Sequence, residues 1–426
     1  MSQTQAVQQS NSIEAQDPHA EEKKKTKSRR PANTAFRQQR LKAWQPILTP
    51  KTVLPLFFII GILFAPIGGL LIWASSQVQE LAIDYTNCYA KSPLTTANLN
   101  ITEASTDLAT IPSDLVTAHF KTAVASSQAP RWGHADENYT YSSEVQVLTH
   151  VCIVEFTIPN EIQPPILFYY RLTNFYQNHR RYVKSLDTNQ LKGDAQTASQ
   201  INSGDCDPLK LDPVSKKPYY PCGLIANSIF NDTFDNLTAL NPASGTAKTY
   251  NMTQNGISWS SEADLYGKTK YQPSDVVPPP NWKTRYPHDY TDERGLPDLH
   301  TDEAFQVWMR TAGLPTFSKL AMRNDRDVMP AGTYRVKIWD NFFVSEFGGT
   351  KSILLSTRTV MGGKNPFLGI AYVVVGGICI LLGALFTATH LIKPRKLGDH
   401  TYLTWNNDQP STATATGRST RPGDSA

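Results

Sequence analysis

Two long stretches of this sequence, Val53–Ala74 and Pro366–Ile392, contain no Asp, Glu, Lys or Arg. Each stretch exceeds the roughly 20 apolar residues that a helix needs to cross ~30 Å of hydrocarbon. The absence of charge therefore predicts two membrane-spanning helices, and it excludes an acidic or basic ion site in the middle of either span. Because the first fifty residues are polar, we expect the first span to be an uncleaved signal anchor.

Cysteine is scarce, with five in 426 residues, and neither terminal tail contains one. Cys379 lies within the second apolar stretch, where we interpret it as a small packing residue. The other four lie between the two stretches, together with every N-x-S/T sequon; these begin at Asn100, Asn138, Asn231, Asn236 and Asn251. Disulfides and N-glycans are typical of the secretory pathway, so we expect a luminal or extracellular domain between cytosolic tails.

The four cysteines between the spans, Cys88, Cys152, Cys206 and Cys222, allow three pairings. Pairing in sequence order is the simplest. A Cys206–Cys222 bond would close a loop of about 15 residues, which the chain-entropy estimate values at ~3 kcal/mol.

Charge supports the same topology. Ten basic and four acidic residues precede Val53, and five basic and three acidic residues follow Ile392, which leaves the middle at −4 in a chain of net charge +4. Basic cytosolic flanks are what the positive-inside rule predicts. The expected divisions are a disordered basic tail at 1–32, a juxtamembrane segment at 33–52, spans at 53–74 and 366–392, an ectodomain at 75–365, and a second cytosolic tail at 393–426.

The sequence also lacks motifs that would indicate an enzyme. It has no G-x-S-x-G or H-E-x-x-H motif, and Gly267-Lys268-Thr269 lacks the upstream glycine of a phosphate-binding loop. His134, Asp136 and Glu137 lie close together, but no second histidine follows at helical spacing. We therefore expect no catalytic residue, no metal, no cofactor and no nucleic-acid partner.

Patterns in the ectodomain favour a β-rich fold. Val145–Thr157, Pro165–Leu172 and Gly332–Val344 are rich in β-branched and aromatic residues, whereas Asp107–Ser126 and Glu303–Ala312 look helical. The predicted fold class is a membrane protein in which two transmembrane α-helices flank a large, mainly antiparallel β-sandwich ectodomain with helical and loop excursions.

Two polar segments are candidates for partner binding. Phe36–Trp44 combines aromatic and basic residues after a possible helix cap, which is typical of a helix on the anionic cytosolic leaflet; a docking segment for a partner is the alternative. His179-Arg180-Arg181 is the densest basic group of the ectodomain. We favour a salt-bridged structural cluster there, over a site for an anionic head group or an acidic partner loop.

The spans carry small residues at heptad spacing. Gly61, Gly68 and Ser75 are seven apart in the first span, and Gly369, Gly376 and Gly383 are seven apart in the second. This spacing keeps small residues on one face of a left-handed helix crossing. We expect the five glycines to contact a partner helix, although glycine is also simply common in membrane helices.

A series of short blocks, spread from about residue 33 to 385, carries a resemblance to a known family. The blocks are Asn33–Phe36, Gln38–Leu41, Ala43–Pro46, Phe175–Ser185 (FYQNHRRYVKS), Tyr220–Ser228, Phe230–Asp232, Trp308–Ala312, Leu314–Phe317 and Gly362–Tyr372. They resemble a fungal-type member of the cell division control protein 50, or ligand-effect modulator, family. Members of this family are accessory (β) subunits of type IV P-type ATPases, the phospholipid flippases.

The resemblance implies a non-catalytic subunit that forms a heterodimer with the ATPase and has phospholipids around its spans. It also implies an antiparallel β-sandwich with N-glycans and the disulfides Cys88–Cys152 and Cys206–Cys222. Such subunits accompany the ATPase out of the endoplasmic reticulum, toward the Golgi, endosomes or plasma membrane, and remain bound during transport. From this we expect the ectodomain, the spans and Phe36–Trp44 each to contact the ATPase.

Three other classes share part of this pattern. A ligand-gated channel subunit has the same topology, but the ectodomain has only four cysteines and the spans show no pattern of polar residues that would line a pore. A lipid-handling receptor would need an apolar tunnel that a sequence does not reveal. An ectoenzyme is the weakest alternative.

Overall fold

The computed structural model describes residues 33–41, 48–95, 107–240, 248–359 and 362–394. The chain forms two compact units, one of Met1–Leu56 with Leu385–Ala426 and one of Phe57–Ala384. Two long helices, α1 (Pro50–Ser76) and α9 (Phe367–Ile392), coincide with the uncharged stretches. Both are long and apolar enough to cross a membrane.

The described part of the smaller unit contains turns where the sequence predicted a helix. The hydroxyl of Thr34 accepts a hydrogen bond from the Arg37 amide at 3.2 Å, as a helix cap does. Gln39, however, has φ of 54°, a left-handed conformation that ends a helical turn. Residues 35–39 therefore form turns, with Phe36 exposed, and Trp44 lies outside the described residues.

Two antiparallel sheets make up most of the ectodomain. The strands in chain order are β1 (Glu80–Asp84), β2 (Ala109–Thr110), β3 (Val116–His119), β4 (Arg131–Thr140), β5 (Gln146–Ile158), β6 (Ile166–Leu172), β7 (Thr233–Phe234), β8 (Leu237–Ala239), β9 (Lys248–Tyr250), β10 (Phe317–Asn324), β11 (Gly332–Asp340) and β12 (Lys351–Thr357). One sheet has the order β10-β6-β12-β1-β3, and the other has the order β2-β4-β5-β11-β8-β9, with β7 also paired to β11.

Short helices decorate the loops between these strands. They are α2 (Cys88–Lys91), α3 (Arg180–Lys184), α4 (Thr188–Leu191), α5 (Ala198–Ser203), α6 (Leu224–Asn227), α7 (Ser260–Ala263) and α8 (Glu303–Met309). The last of these matches the predicted helix at Glu303–Ala312, and its first turn is capped by the Asp302 carboxylate, which accepts from the Phe305 amide at 2.9 Å.

The core lies between the two sheets. On β5, Val154, Phe156 and Ile158 face a large apolar cluster that also contains Phe168 of β6 and Ile353 of β12. Side chains of both sheets thus meet in one layer, which is the arrangement of a β-sandwich. The predicted fold class is confirmed.

The prediction of a helix at Asp107–Ser126 is wrong. This region contains β2, a 3-10 turn at Ser113–Leu115, and β3, which pairs with β1 along Val116–His119. Pro112 interrupts any helix there, and β-branched Val116 and Thr117 fit an edge strand. Pairing with a distant strand therefore determined the structure of this segment.

Strands β1 and β12 connect the sandwich to the spans. β1 begins four residues after α1 ends, and β12 ends ten residues before α9 begins. The two strands are antiparallel neighbours, with Glu80 opposite Ser356 and Asp84 opposite Ser352. Glu80 and Ser356 thus mark the end of the sheet near the spans, and Lys351 lies at the far end.

Candidate partner-binding surfaces and modification sites

The glycine faces of the two spans pack against each other within this chain. Gly61, Gly68, Gly369, Gly376 and Gly383 are all buried. A methyl group added at Gly68 would lie 2.7 Å from the carbonyl oxygen of Gly369, and one added at Gly376 would lie 2.9 Å from the Ala65 nitrogen. These faces are therefore occupied by the chain's own helices, which corrects the expectation that the five glycines contact a partner.

Ser75 completes the first stripe at the end of the span. Its hydroxyl accepts a hydrogen bond from the Asn365 amide at 3.0 Å, which joins the end of α1 to the segment before α9. On the opposite side of the helix pair, large apolar side chains are exposed, among them Leu63, Leu70, Ile378 and Leu381. This outer face is the surface of the spans that lipid or another helix can reach.

The segment Phe175–Ser185 is held by its inward-facing side chains. Gln177 is fully buried, and its side-chain oxygen accepts from the Ala312 amide at 2.8 Å. The Tyr182 hydroxyl lies 2.8 Å from that of Ser228, and the Phe175 ring packs edge-to-face on Trp308. Buried Ser185 donates to the Asp207 carbonyl at 2.6 Å. This segment is therefore fixed to the sandwich, and its remaining side chains point outward.

Those outward side chains form an exposed basic surface. His179, Arg180, Arg181 and Lys184 are exposed, next to Tyr176, which is 56% exposed. No ion pair to these basic residues occurs in the described part of the chain. The favoured prediction of a salt-bridged structural cluster is therefore wrong. We call these five residues the basic surface.

The basic surface lies at the end of the sandwich far from the spans. Leu172, where β6 ends before this segment, is opposite Lys351, while Ile166 at the other end of β6 is opposite Thr357. At about 3.3 Å per residue, these seven-residue strands separate the two ends by roughly 20 Å. This distance argues against lipid head groups near the chain's own spans as the ligand.

Both disulfides of the structure follow sequence order. Cys88 is bonded to Cys152 with a Cα–Cα distance of 6.0 Å, which ties the segment after β1 to β5 of the other sheet. Cys206 is bonded to Cys222 at 5.7 Å. The Cys222 amide also donates to the side-chain oxygen of buried Gln190 at 2.8 Å, so this loop is anchored to α4.

A buried ionic network that no sequence pattern predicted lies at the far end of the sandwich. Lys351 is 1% exposed, and its Nζ donates to Asp232 at 2.7 Å, to Asp340 at 2.5 Å and to the Phe342 carbonyl at 2.7 Å. The Tyr85 hydroxyl donates to Asp232 at 2.8 Å. Burial, and then the Asp232 carboxylate, raise the pKa of Tyr85 well above its usual value, so it remains a donor. Asp232 immediately follows the sequon residue Asn231.

Four of the five sequon asparagines are exposed, as a glycan requires. They are Asn138, Asn231, Asn236 and Asn251, whereas Asn100 lies outside the described residues.

The clustered polar residues of β4, His134, Asp136 and Glu137, have separate partners. His134 contacts Ser92 at 3.2 Å, Asp136 pairs with His150 at 2.6 Å, and Glu137 pairs with Lys337. Among the described residues, no group of three or more His, Cys, Asp or Glu is arranged to hold a metal ion.

Comparison with known proteins gives a match over most of the chain. The model of the LEM3 (ligand-effect modulator 3) family / CDC50 family matches residues 71–396. A Chaetomium thermophilum protein, phospholipid-transporting ATPase accessory subunit CDC50, is 44% identical over 393 residues, which cover 90% of this chain and 92% of that protein.

Two further relatives show how widely the similarity extends. The Saccharomyces cerevisiae phospholipid-transporting ATPase accessory subunit CRF1 is 45% identical, with 90% of this chain and 91% of that protein covered. Mouse cell cycle control protein 50A is 38% identical, with 84% and 88% covered.

Proposed function

Because this chain belongs to the LEM3/CDC50 family, we propose that it is the non-catalytic accessory subunit of a phospholipid-transporting type IV P-type ATPase. The observation that carries the proposal is the near full-length similarity to proteins named as accessory subunits of such ATPases. In this role the chain forms a heterodimer with a separate catalytic subunit, which binds ATP and moves the lipid. The accessory subunit supports folding, export from the endoplasmic reticulum and the transport cycle.

The orientation in this proposal places both termini in the cytosol and residues 75–365 in the lumen or outside the cell. The basic tails, the acidic middle and the position of all sequons support it. The complex then travels from the endoplasmic reticulum through Golgi and endosomes to the plasma membrane, with phospholipids around the outer face of its two spans.

Three surfaces serve the contact with the ATPase. The basic surface offers exposed cations to acidic exoplasmic loops, the outer face of the spans offers apolar area within the membrane, and Phe36–Trp44 belongs to the cytosolic side. Contacts at three levels let the subunit bind one conformation of the pump more tightly than another. Such differential affinity shifts the conformational equilibrium without any contact with transported lipid.

Co-purification tests the proposal. The chain is purified from its own cells in mild detergent, and the proteins recovered with it are identified by mass. We expect a P-type ATPase in about equal molar amount. Recovery of a homo-oligomer alone under several detergents would refute the proposed function.

A charge reversal tests the basic surface within the same experiment. Arg180→Glu with Arg181→Glu places acidic groups where we expect acidic loops, so recovery of the ATPase should fall at least ten-fold, since several like-charge contacts add. Lys216→Glu with Lys217→Glu is the matched control, because these two adjacent lysines are also exposed. Equal recovery with both double variants would remove the basic surface from the interface.

A further inference from the structure

A cleft of about 340 Å³ opens beside Asn231. Its walls come from the end of β4, from residues 229–234, from the turn at Pro280–Trp282 and from β10. This volume is at the lower end of the range of small-ligand sites, about 300–1,000 Å³. Asn231 itself is one of the lining residues, and its side chain is exposed.

The walls combine aromatic rings with polar side chains that have no hydrogen-bond partner among the described residues. Tyr139 and Tyr141 are half-buried, with ring centroids 4.7 Å apart in an edge-to-face arrangement. Gln254, Asn281 and Thr284 also line the cleft, and their side chains make no hydrogen bond within the described part of the chain. Flat rings beside amide and hydroxyl groups suit a sugar, which presents C–H groups on one face and hydroxyls at its edge.

We propose that the first N-acetylglucosamine of a glycan on Asn231 sits in this cleft, between the tyrosine rings and the polar side chains. Asn231, the residue that carries the sugar, is itself part of the cleft wall, so the first sugar is attached beside the cleft. The linkage also makes the contact intramolecular, so little translational entropy is lost on binding. The inference rests on the luminal orientation given under the proposed function.

Two other sequons provide internal comparisons. Asn138 lies on β4 and is exposed. Asn236 is exposed as well, and its side-chain oxygen is already used, because it accepts from the Met252 amide at 2.8 Å. We therefore expect glycans at Asn138 and Asn236 to extend into solvent, in contrast to the one at Asn231.

The test measures how fast an endoglycosidase cuts between the first two sugars at each site. The chain is purified together with its native partner and treated with endoglycosidase H, either folded or after denaturation, and each sequon is followed by mass spectrometry of its glycopeptide. We expect cleavage at Asn231 in the folded protein to be at least ten-fold slower than at Asn138 and Asn236. After denaturation the three rates should be similar.

Two variants test whether the cleft itself, and not general shielding by the folded domain, slows cleavage at Asn231. Tyr141→Ala removes an aromatic wall, and Thr284→Trp fills the cleft from an exposed position without deleting any packed group. Both should raise the Asn231 rate to that of Asn138. Trp259→Ala, at an exposed tryptophan outside the cleft, should leave the protection unchanged.

Each contrary outcome has a distinct meaning. Three results would overturn the inference and leave the proposed function intact. They are rapid cleavage at Asn231 in the folded wild-type protein, protection that persists in both cleft variants, and an Asn231 that carries no glycan while other sequons do. Absence of glycan from every sequon instead overturns the luminal orientation on which both depend.

Discussion

Replacing Lys351 with methionine should destabilise the ectodomain by about 3–5 kcal/mol, which is the usual effect of removing one partner from a buried ion pair. Lys351 is 1% exposed and Asp232 side-chain exposure is 0%, so the carboxylates left behind cannot recover their hydration. Methionine fills a similar volume, which keeps the loss of packing small. Since native domains are stable by about 5–15 kcal/mol, this is a large fraction of the total.

Thermal unfolding of the purified protein in detergent measures the effect. At roughly 2–4 °C per kcal/mol for a domain of this size class, the midpoint should fall by about 6–20 °C. Lys270→Met is the matched control, because Lys270 forms its 2.7 Å pair with Asp194 at the surface, where such pairs contribute about 0–1 kcal/mol. Equal midpoints for the two variants would refute the argument from burial.

The loss should also depend on pH. Burial raises the pKa of Asp340 in the wild-type protein, and the Asp232 carboxylate raises it further. Lys351 lowers the pKa of Asp340, so the Lys351→Met variant should have a still higher Asp340 pKa in the folded state. A carboxyl group with a raised pKa in the folded state stabilises that state below the unfolded pKa, and this contribution is lost as the pH rises through the folded pKa. The difference between Lys351→Met and wild type should therefore be smaller at acidic pH than at pH 8.

Two further predictions concern the spans and the second disulfide. Gly68→Leu places a side chain against the Gly369 carbonyl and should destabilise the helix pair by about 1–3 kcal/mol or more, seen as a lower thermal midpoint and poorer recovery. Gly69→Leu should change neither the thermal midpoint nor the recovery, because a Cβ at Gly69 has nothing within 4 Å. A similar fall in the midpoint for both variants would contradict the close contact of the two helices at Gly68. Cys206→Ser removes a buried disulfide worth about 2–5 kcal/mol and should trap the protein in the endoplasmic reticulum, where cell fractionation would find it with the membranes of that compartment. Cys379→Ser, at the free cysteine, should be exported normally, and normal export of Cys206→Ser would count against a structural role for the bond.

Features set by local pattern were predictable from the sequence. The uncharged stretches coincide with the two long helices, and the β-branched runs at Val145–Thr157 and Pro165–Leu172 are β5 and β6 within one or two residues. In these segments burial and propensity favour the same structure. The heptad glycines likewise indicated a close helix contact, because the spacing alone defines a face.

Features that depend on distant pairing were not predictable. Asp232 and Lys351 are 119 residues apart, and neither has a local pattern that marks it as buried. The glycine spacing showed a contact face but not which helix would occupy it. For His179-Arg180-Arg181, an ion pair would require acids from other parts of the chain, and the sequence does not show which acids the fold brings near.

The pairing of the two spans determines where the affinity for an ATPase arises. Since the glycine faces are used within the chain, another helix meets only the outer face, with side chains such as Leu70 and Leu381. Lipid tails are as apolar as leucine, so burial of this face provides little driving force in the membrane. We infer that polar contacts outside the membrane, the basic surface among them, supply most of the specificity for the ATPase.

Binding to the ATPase should therefore weaken as the salt concentration rises, because screening acts on exposed charges and not on apolar contacts. Co-purification of the ATPase across a salt series measures this, and recovery that is independent of salt would place the main contact within the spans.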